Sequence, residues 1–215
     1  RDFEAMGSSR RVLCQQRADR FLDVALELGT DLIVVCANTD PDASDDLDEM
    51  VSDLGWLANR AQAQGVRVGY EPLPWATCVR CLDQAISVIR RVRQDNLGVV
   101  LDNFHIQMIE GDISAISALG ADEIEFVQIS DAPRMALDAK TLSRNFRCFP
   151  GQGDLPVLDF YRAVLYTGYR GHVSLEVFNT LNKSRSALEL ATMAMRSIAG
   201  MRGSEVKSEE GCGDD

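Results

Sequence analysis

Four short apolar runs in this chain each end in a side chain that can bind a metal ion. Val66-Arg67-Val68-Gly69-Tyr70 ends in Glu71, and Leu97-Gly98-Val99-Val100-Leu101 ends in Asp102. Ile124-Glu125-Phe126-Val127 ends in Gln128, and His172-Val173-Ser174-Leu175 ends in Glu176. A carboxylate at the end of an apolar strand is costly to bury unless it is paired or coordinated. A salt bridge to a neighbouring helix explains one such placement, but hardly the same placement on four successive runs. Three carboxylates and an amide oxygen form a hard, all-oxygen donor set. That set suits Mg2+ or Mn2+, with Co2+ as a further candidate, better than a thiophilic metal. An ion held there offers Lewis-acid stabilisation of negative charge on a substrate oxygen. The competing reading is a polar core network without an ion, in which three unpaired carboxylates would repel one another.

For these residues to meet, the strands that carry them must run parallel and share one rim. Helical periodicity covers about Ser9 to Leu28, with Leu13, Phe21, Val24, Ala25 and Leu28 on one side and Gly29 as the stop. Asp31 to Cys36 is a nearly continuous apolar run, as expected of a strand buried on both faces of a parallel sheet. A helix over Leu47 to Gln64 follows, then strand Val66–Glu71, a helix over Val79 to Arg93 and strand Leu97–Asp102. A helical stretch at Ile113 to Ala118 precedes strand Ile124–Ile129, and a long loop runs from Ser130 to Asp154. The pattern closes with a helix over Val157 to Leu165, strand His172–Val177 and a helix over Ser184 to Ile198. Alternating strands and helices predict an α/β fold with a parallel sheet. In a (β/α)8 TIM barrel the C-terminal strand ends form the rim where active sites sit, so the four donors would converge there.

The rest of the composition narrows the field. The 215 residues are 46% hydrophobic and 26% charged, ordinary for one globular domain, here residues 1–200. No stretch approaches the roughly 18 apolar residues of a membrane helix. The start, Arg1-Asp2-Phe3-Glu4, is not a signal peptide, and without an initiator Met the true N-terminus is expected upstream. A net charge of −11 argues against nucleic acid. Residues 201–215 are rich in Gly, Ser and acids, and are expected to form an acidic disordered tail. Of the six cysteines only Cys78 and Cys81 have ligand spacing, at the start of a helical pattern and without a second pair. Free thiols in a reducing cytoplasm fit that scatter.

At these residues the chain resembles the xylose-isomerase-like (sugar phosphate isomerase/epimerase) barrel superfamily and, within it, bacterial 3-dehydroshikimate dehydratases. The stretches that carry the resemblance include Gly69-Tyr70-Glu71, Leu101-Asp102-Asn103-Phe104-His105, Phe126-Val127-Gln128, Asp131-Ala132-Pro133-Arg134 and Ser174-Leu175-Glu176-Val177-Phe178-Asn179. The most specific is Phe146-Arg147-Cys148-Phe149-Pro150-Gly151-Gln152-Gly153. The resemblance covers nearly everything up to about Gly200. It implies that about five of the eight β/α units are represented, with the N-terminal units missing, since such a barrel takes about 250 residues. It also implies that some longer relatives continue into a dioxygenase-like domain.

The implied reaction is the dehydration of 3-dehydroshikimate to protocatechuate, a step of quinate and shikimate catabolism, with Glu71, Asp102, Gln128 and Glu176 as the metal ligands. His105 is the candidate general base, since an unperturbed histidine titrates near 6.5. A supporting partner of Asp102 is its alternative role, and His172 should lie at the opposite end of the barrel. A carboxylated cyclic substrate needs a cation. Arg147, in the loop after Gln128, can form a bidentate pair, and Arg1 is the second candidate. Ser143 and Trp75 complete the expected substrate contacts. Gly151 and Gly153 would permit a tight loop that Phe146 and Phe149 pack down, with Arg134 and Arg144 solvated or anchoring. Two alternatives stand beside this reading. One is a sugar or inositol isomerase, epimerase or dehydratase of the same superfamily. The other is an inactive barrel fragment, or one that associates, for instance as a homo-oligomer, through open strand edges.

Overall fold

The computed structural model describes residues 2–109 and 113–210. Five strands, β1 (Leu32–Cys36), β2 (Arg67–Glu71), β3 (Leu97–Asp102), β4 (Ile124–Ile129) and β5 (Val173–Leu175), form one parallel sheet. Their spatial order follows the sequence. That is the winding of a barrel; a doubly wound sheet would reverse its strand order. The described strands therefore form part of a (β/α)8 barrel, as the alternation of elements predicts. Every residue of β3 is buried, whereas the outer strands β1 and β5 are largely half-buried or exposed.

Among the described residues seven α-helices accompany the sheet: α1 (Gly7–Leu28), α2 (Leu47–Gln62), α3 (Leu82–Val92), α4 (Asn103–Ile109), α5 (Ala139–Asn145), α6 (Val157–Tyr166) and α7 (Ala187–Glu210). Helix α3 starts after Cys81, where Gln84 Oε1 accepts the backbone N–H groups of Arg80 (2.7 Å) and Cys81 (3.3 Å). The Cys78–Cys81 spacing thus belongs to a helix entry. The five described cysteines are free thiols. Among the described residues no helix is long and apolar enough to cross a membrane.

Several expectations need correction. Helix α1 buries Cys14, Ala18, Leu22 and Ala25, while Leu13 (66% exposed), Phe21 (62%) and Leu28 (76%) face outward. The helix carries two apolar stripes, and the one with small residues lies inward because it allows close approach. The helical stretch expected at Ile113 to Ala118 is a 3-10 helix, Ser114–Ala118. The strand expected over His172–Val177 shortens to Val173–Leu175, at the edge of the sheet. The long loop after β4 contains helix α5, capped by Asp138, whose carboxylate accepts the Thr141 N–H. Helix α7, expected to end near Ile198, continues to Glu210, and residues 211–215 of the expected tail lie outside the described residues.

Register brings the strand ends level. Cys36 pairs with Glu71, Asp102 with Gln128, and the Glu176 N–H donates to Ile129 O at 3.1 Å. A bulge lies between the Val99–Ile124 and Val100–Phe126 pairs, leaving Glu125 unpaired. The extra residue resets the alternation, so that Gln128 shares a face with Asp102 while Glu125 also points inward. Gly98 makes room there, since a Cβ would come within 2.5 Å of Glu123 O and 2.9 Å of Glu125 Cγ.

Candidate metal centre

Asp102 ends β3 and also starts α4. Its Oδ1 accepts the Phe104 N–H at 2.9 Å, which caps the helix and places His105 one turn beyond the strand. Asn103 fastens this junction to the end of β4. Its Oδ1 accepts the Ser130 N–H (2.7 Å) and its Nδ2 donates to Ser130 O (2.8 Å).

His105 Nε2 lies 3.2 Å from Asp102 Oδ2 and 3.4 Å from Glu71 Oε1. Glu71, Asp102 and His105, all buried, each offer a ligand atom, and the three atoms lie within 4.8 Å of one another. Trp75 meets the imidazole edge-on at 5.0 Å and Phe104 does so at 5.7 Å. His172 is exposed, at the start of β5 and away from this rim.

Arg147, 1% exposed, enters from the loop after β4. Its Nη1 donates to Asp102 Oδ2 (2.7 Å) and Glu176 Oε2 (3.0 Å). Nε and Nη2 both donate to the buried Ser143 Oγ (3.2 and 2.8 Å), and Nη2 lies 3.3 Å from His105 Nε2. The guanidinium stacks 4.5 Å over Phe104. The structure thus gathers Glu71, Asp102, Glu176, His105, Ser143, Arg147 and Trp75. Gln128 is level with Asp102, and its Oε1 is buried without a hydrogen-bond partner. Arg1 lies outside the described residues. Arg134 and Arg144 are exposed.

The electrostatics are those of a crowded anionic site. Burial, reinforced by the Asp102 charge, pushes the Glu71 carboxyl up to about 8. Burial and Asp102 likewise raise Glu176. Burial also works to raise Asp102, but His105, Arg147 and the Phe104 N–H outweigh it and hold the carboxyl below its ordinary range. Burial, against the pull of Asp102, lowers the His105 imidazole to about 4, so it is neutral near pH 7. Three carboxylates therefore face one guanidinium and a neutral ring. The crowding that raises Glu71 and Glu176 and the orphaned Gln128 oxygen both fit a cation at this rim.

Several contributors were not singled out from the sequence. The Cys36 thiol donates to Glu71 Oε2 at 3.1 Å. Asp131 organises the loop that delivers Arg147, accepting backbone N–H groups from Ala132 (2.8 Å), Gly151 (3.0 Å), Gly153 (2.9 Å) and Leu155 (3.0 Å). A Cβ at Gly153 would fall 2.4 Å from Asp131 Oδ1, so only glycine fits this wrap. Asn179 Nδ2 holds Arg147 O at 2.9 Å. The resemblance stretches contain both Asp131 and Asn179, but nothing in residue type alone marks a loop organiser.

The pattern that defines the family "Xylose isomerase-like TIM barrel" matches residues 7–198. Over 198 residues the chain is 42% identical to a 3-dehydroshikimate dehydratase of Pseudomonas putida, covering 92% of the chain and 31% of that protein. An inosose isomerase of Bacillus subtilis is 28% identical over 57% of the chain and 44% of its own length. A solved xylose isomerase-like TIM barrel/4-hydroxyphenylpyruvate dioxygenase fusion protein superposes with a TM-score of 0.92 at 39% identity, covering 97% of this chain and 34% of that one. The chain thus spans about a third of the length of the dehydratase and of the fusion protein.

Proposed function

The chain belongs to the xylose isomerase-like TIM barrel family, and on that premise we propose that it dehydrates 3-dehydroshikimate to protocatechuate with the help of one divalent cation, Mg2+ or Mn2+. Glu71, Asp102, Gln128 and Glu176 would hold the ion. The observation that carries the reading is the crowding of Glu71, Asp102 and Glu176 at the rim, where among the described residues one guanidinium, that of Arg147, pairs with Asp102 and Glu176. The choice of substrate is supported by the 42% identity to the Pseudomonas putida dehydratase.

When bound, the ion supplies Lewis-acid stabilisation of the negative charge that develops on the ketone oxygen. His105 takes the proton from the carbon beside the ketone. It is suited to this because burial keeps it neutral near pH 7 and so able to accept. The β-hydroxyl then leaves as water, and enolisation of the resulting dienone completes the aromatic ring. Arg147 pairs with the ring carboxylate, steadied by Ser143, with Arg1 as a second candidate cation. Trp75 walls the pocket beside His105 and keeps water from the base.

The test is to supply 3-dehydroshikimate with and without Mn2+ and follow the ultraviolet absorbance of protocatechuate. The reading expects ion-dependent product that disappears in Glu176→Ala and His105→Ala. A folded, ion-loaded protein that leaves the substrate unchanged would overturn it and favour a polyol isomerase or epimerase. Because His105 also reaches the ligand set, ion titration of His105→Ala separates its two roles. A base leaves ion affinity within a few-fold of the parent, and a ligand does not.

A further inference from the structure

Asp102 has only one oxygen to offer an ion. Its Oδ1 caps α4 through the Phe104 N–H at 2.9 Å and cannot turn away without releasing the helix that carries His105. The other oxygen, Oδ2, faces His105 Nε2 at 3.2 Å, toward the candidate ligand set. Arg147 Nη1 holds that same oxygen at 2.7 Å and reaches Glu176 Oε2 at 3.0 Å. The guanidinium therefore spans two of the proposed ligands at the atoms an ion would use.

The anchoring of Arg147 is uneven. Its backbone N–H donates to Phe178 O (3.1 Å), its carbonyl accepts from Asn179 (2.9 Å), and Nε and Nη2 are tied to Ser143. Nη1 is held by the acids and, at 3.4 Å each, by Ser130 Oγ and Glu176 O. The guanidinium is a rigid plane, so Nη1 leaves the acids when the whole group pivots about its Ser143 contacts, while the backbone bonds keep the loop in place. While it stays, the guanidinium points at the acids, and its Nη1 N–H groups are not offered to a substrate carboxylate.

We propose that Arg147 and the divalent cation compete for Asp102 Oδ2 and Glu176 Oε2, so that ion binding displaces Nη1 and turns it toward the substrate's carboxylate. The site would then load in order, cation first and carboxylate second. The inference rests on the proposed function for the presence of the ion and adds Arg147 as a resident competitor. A monovalent guanidinium beside a dication is repelled, and it yields because the ion brings twice the charge to the same oxygens.

The experiment is an Mn2+ titration by calorimetry of the chelator-stripped chain and of Arg147→Met, which keeps much of the side-chain volume without the charge. Competition predicts an Mn2+ Kd at least tenfold lower in Arg147→Met. It also predicts a lower Tm for the stripped variant, because Asp102 and Glu176 lose the guanidinium that pairs with them. An unchanged or higher Kd, with Mn2+ still bound by the parent, overturns the competition and leaves the metal site standing. Mn2+ bound by neither protein overturns the metal reading and the competition with it.

Should Arg147→Met not fold, the parent decides. On adding Mg2+, the Arg147 guanidinium resonances should shift, and their exchange with solvent should quicken. Resonances that stay in place while Mg2+ binds would overturn the proposal.

Discussion

The barrel interior buries carboxylates at both ends and neutralises them differently. At the N-terminal end of the strands, Glu125 is turned inward by the β4 bulge and pairs with Arg67, whose other Nη lies 3.4 Å from the exposed Asp31. Burial raises the Glu125 carboxyl and Arg67 works against that rise. One arginine answers one buried acid, and no charge is left over. At the C-terminal end, among the described residues, Arg147 is the one arginine paired with the acids Glu71, Asp102 and Glu176, through the last two. Outside the barrel interior, Glu4 shows a third solution. Its Oε1 accepts the Asn38 N–H (2.7 Å) and the Tyr70 O–H (2.9 Å), and burial raises its carboxyl against those bonds, with no arginine paired to it among the described residues. A buried carboxylate is therefore no sign of function in itself. Three acids crowded around one described guanidinium, two of them raised by that crowding, are the sign, and only the rim has them among these three sites.

The sharpest way to break this contrast is to move the same kind of substitution between the two ends. Asp102→Ala should weaken Mn2+ binding by at least about 100-fold, because it removes a ligand and frees Arg147 to hold Glu176. Glu125→Gln should leave Mn2+ affinity within about twofold. Calorimetry on both variants checks this, and equal losses would erase the distinction. Next in size is the loop that aims Arg147. Asp131→Ala leaves four backbone N–H groups without their acceptor. Charged hydrogen bonds contribute about 1.5–3 kcal/mol each and do not add, so a loss of about 3 kcal/mol in urea unfolding is expected.

Glu125→Gln should cost less, about 1–2 kcal/mol, because Arg67 is 43% exposed and can return to water. A loss of 3–5 kcal/mol would instead mark a fully desolvated pair. The smallest effect belongs to Glu4. Its folded-state pKa lies above the unfolded value, so the native chain binds the proton more tightly. Its contribution is fully present below about pH 4.3 and is lost as pH rises through the folded value. Thermal unfolding from pH 4 to 8 should therefore fall more steeply in the parent than in Glu4→Gln. Parallel profiles would show that Glu4 is ionised in the fold.

The strands, their order and the rim residues were legible because parallel strands buried on both faces leave continuous apolar runs. An acid at the end of such a run stands out against them. Other features left weaker traces. Helix α1 has two apolar stripes, and burial of Ala18, Leu22 and Ala25 rather than Leu13, Phe21 and Leu28 depends on packing distance. Helix α4 is seven residues long and starts directly from a strand through Asp102, so periodicity has no room to declare it. The Glu125 bulge cannot be seen from an alternation that it interrupts, which hid the Arg67 pair. With α4 hidden, the sequence put His105 near the ligands but could not show its Nε2 at 3.2 Å from Asp102 Oδ2 and 3.4 Å from Glu71 Oε1.

The central claim is that the C-terminal rim holds one divalent cation because its acids outnumber its cations. The most direct test is the stoichiometry of Mn2+ binding to the chelator-stripped chain, followed by equilibrium titration. One ion per chain, lost in Asp102→Ala and retained in Glu125→Gln, is the predicted result. A folded chain that binds no Mn2+, or binds it equally well without Asp102, would contradict the claim.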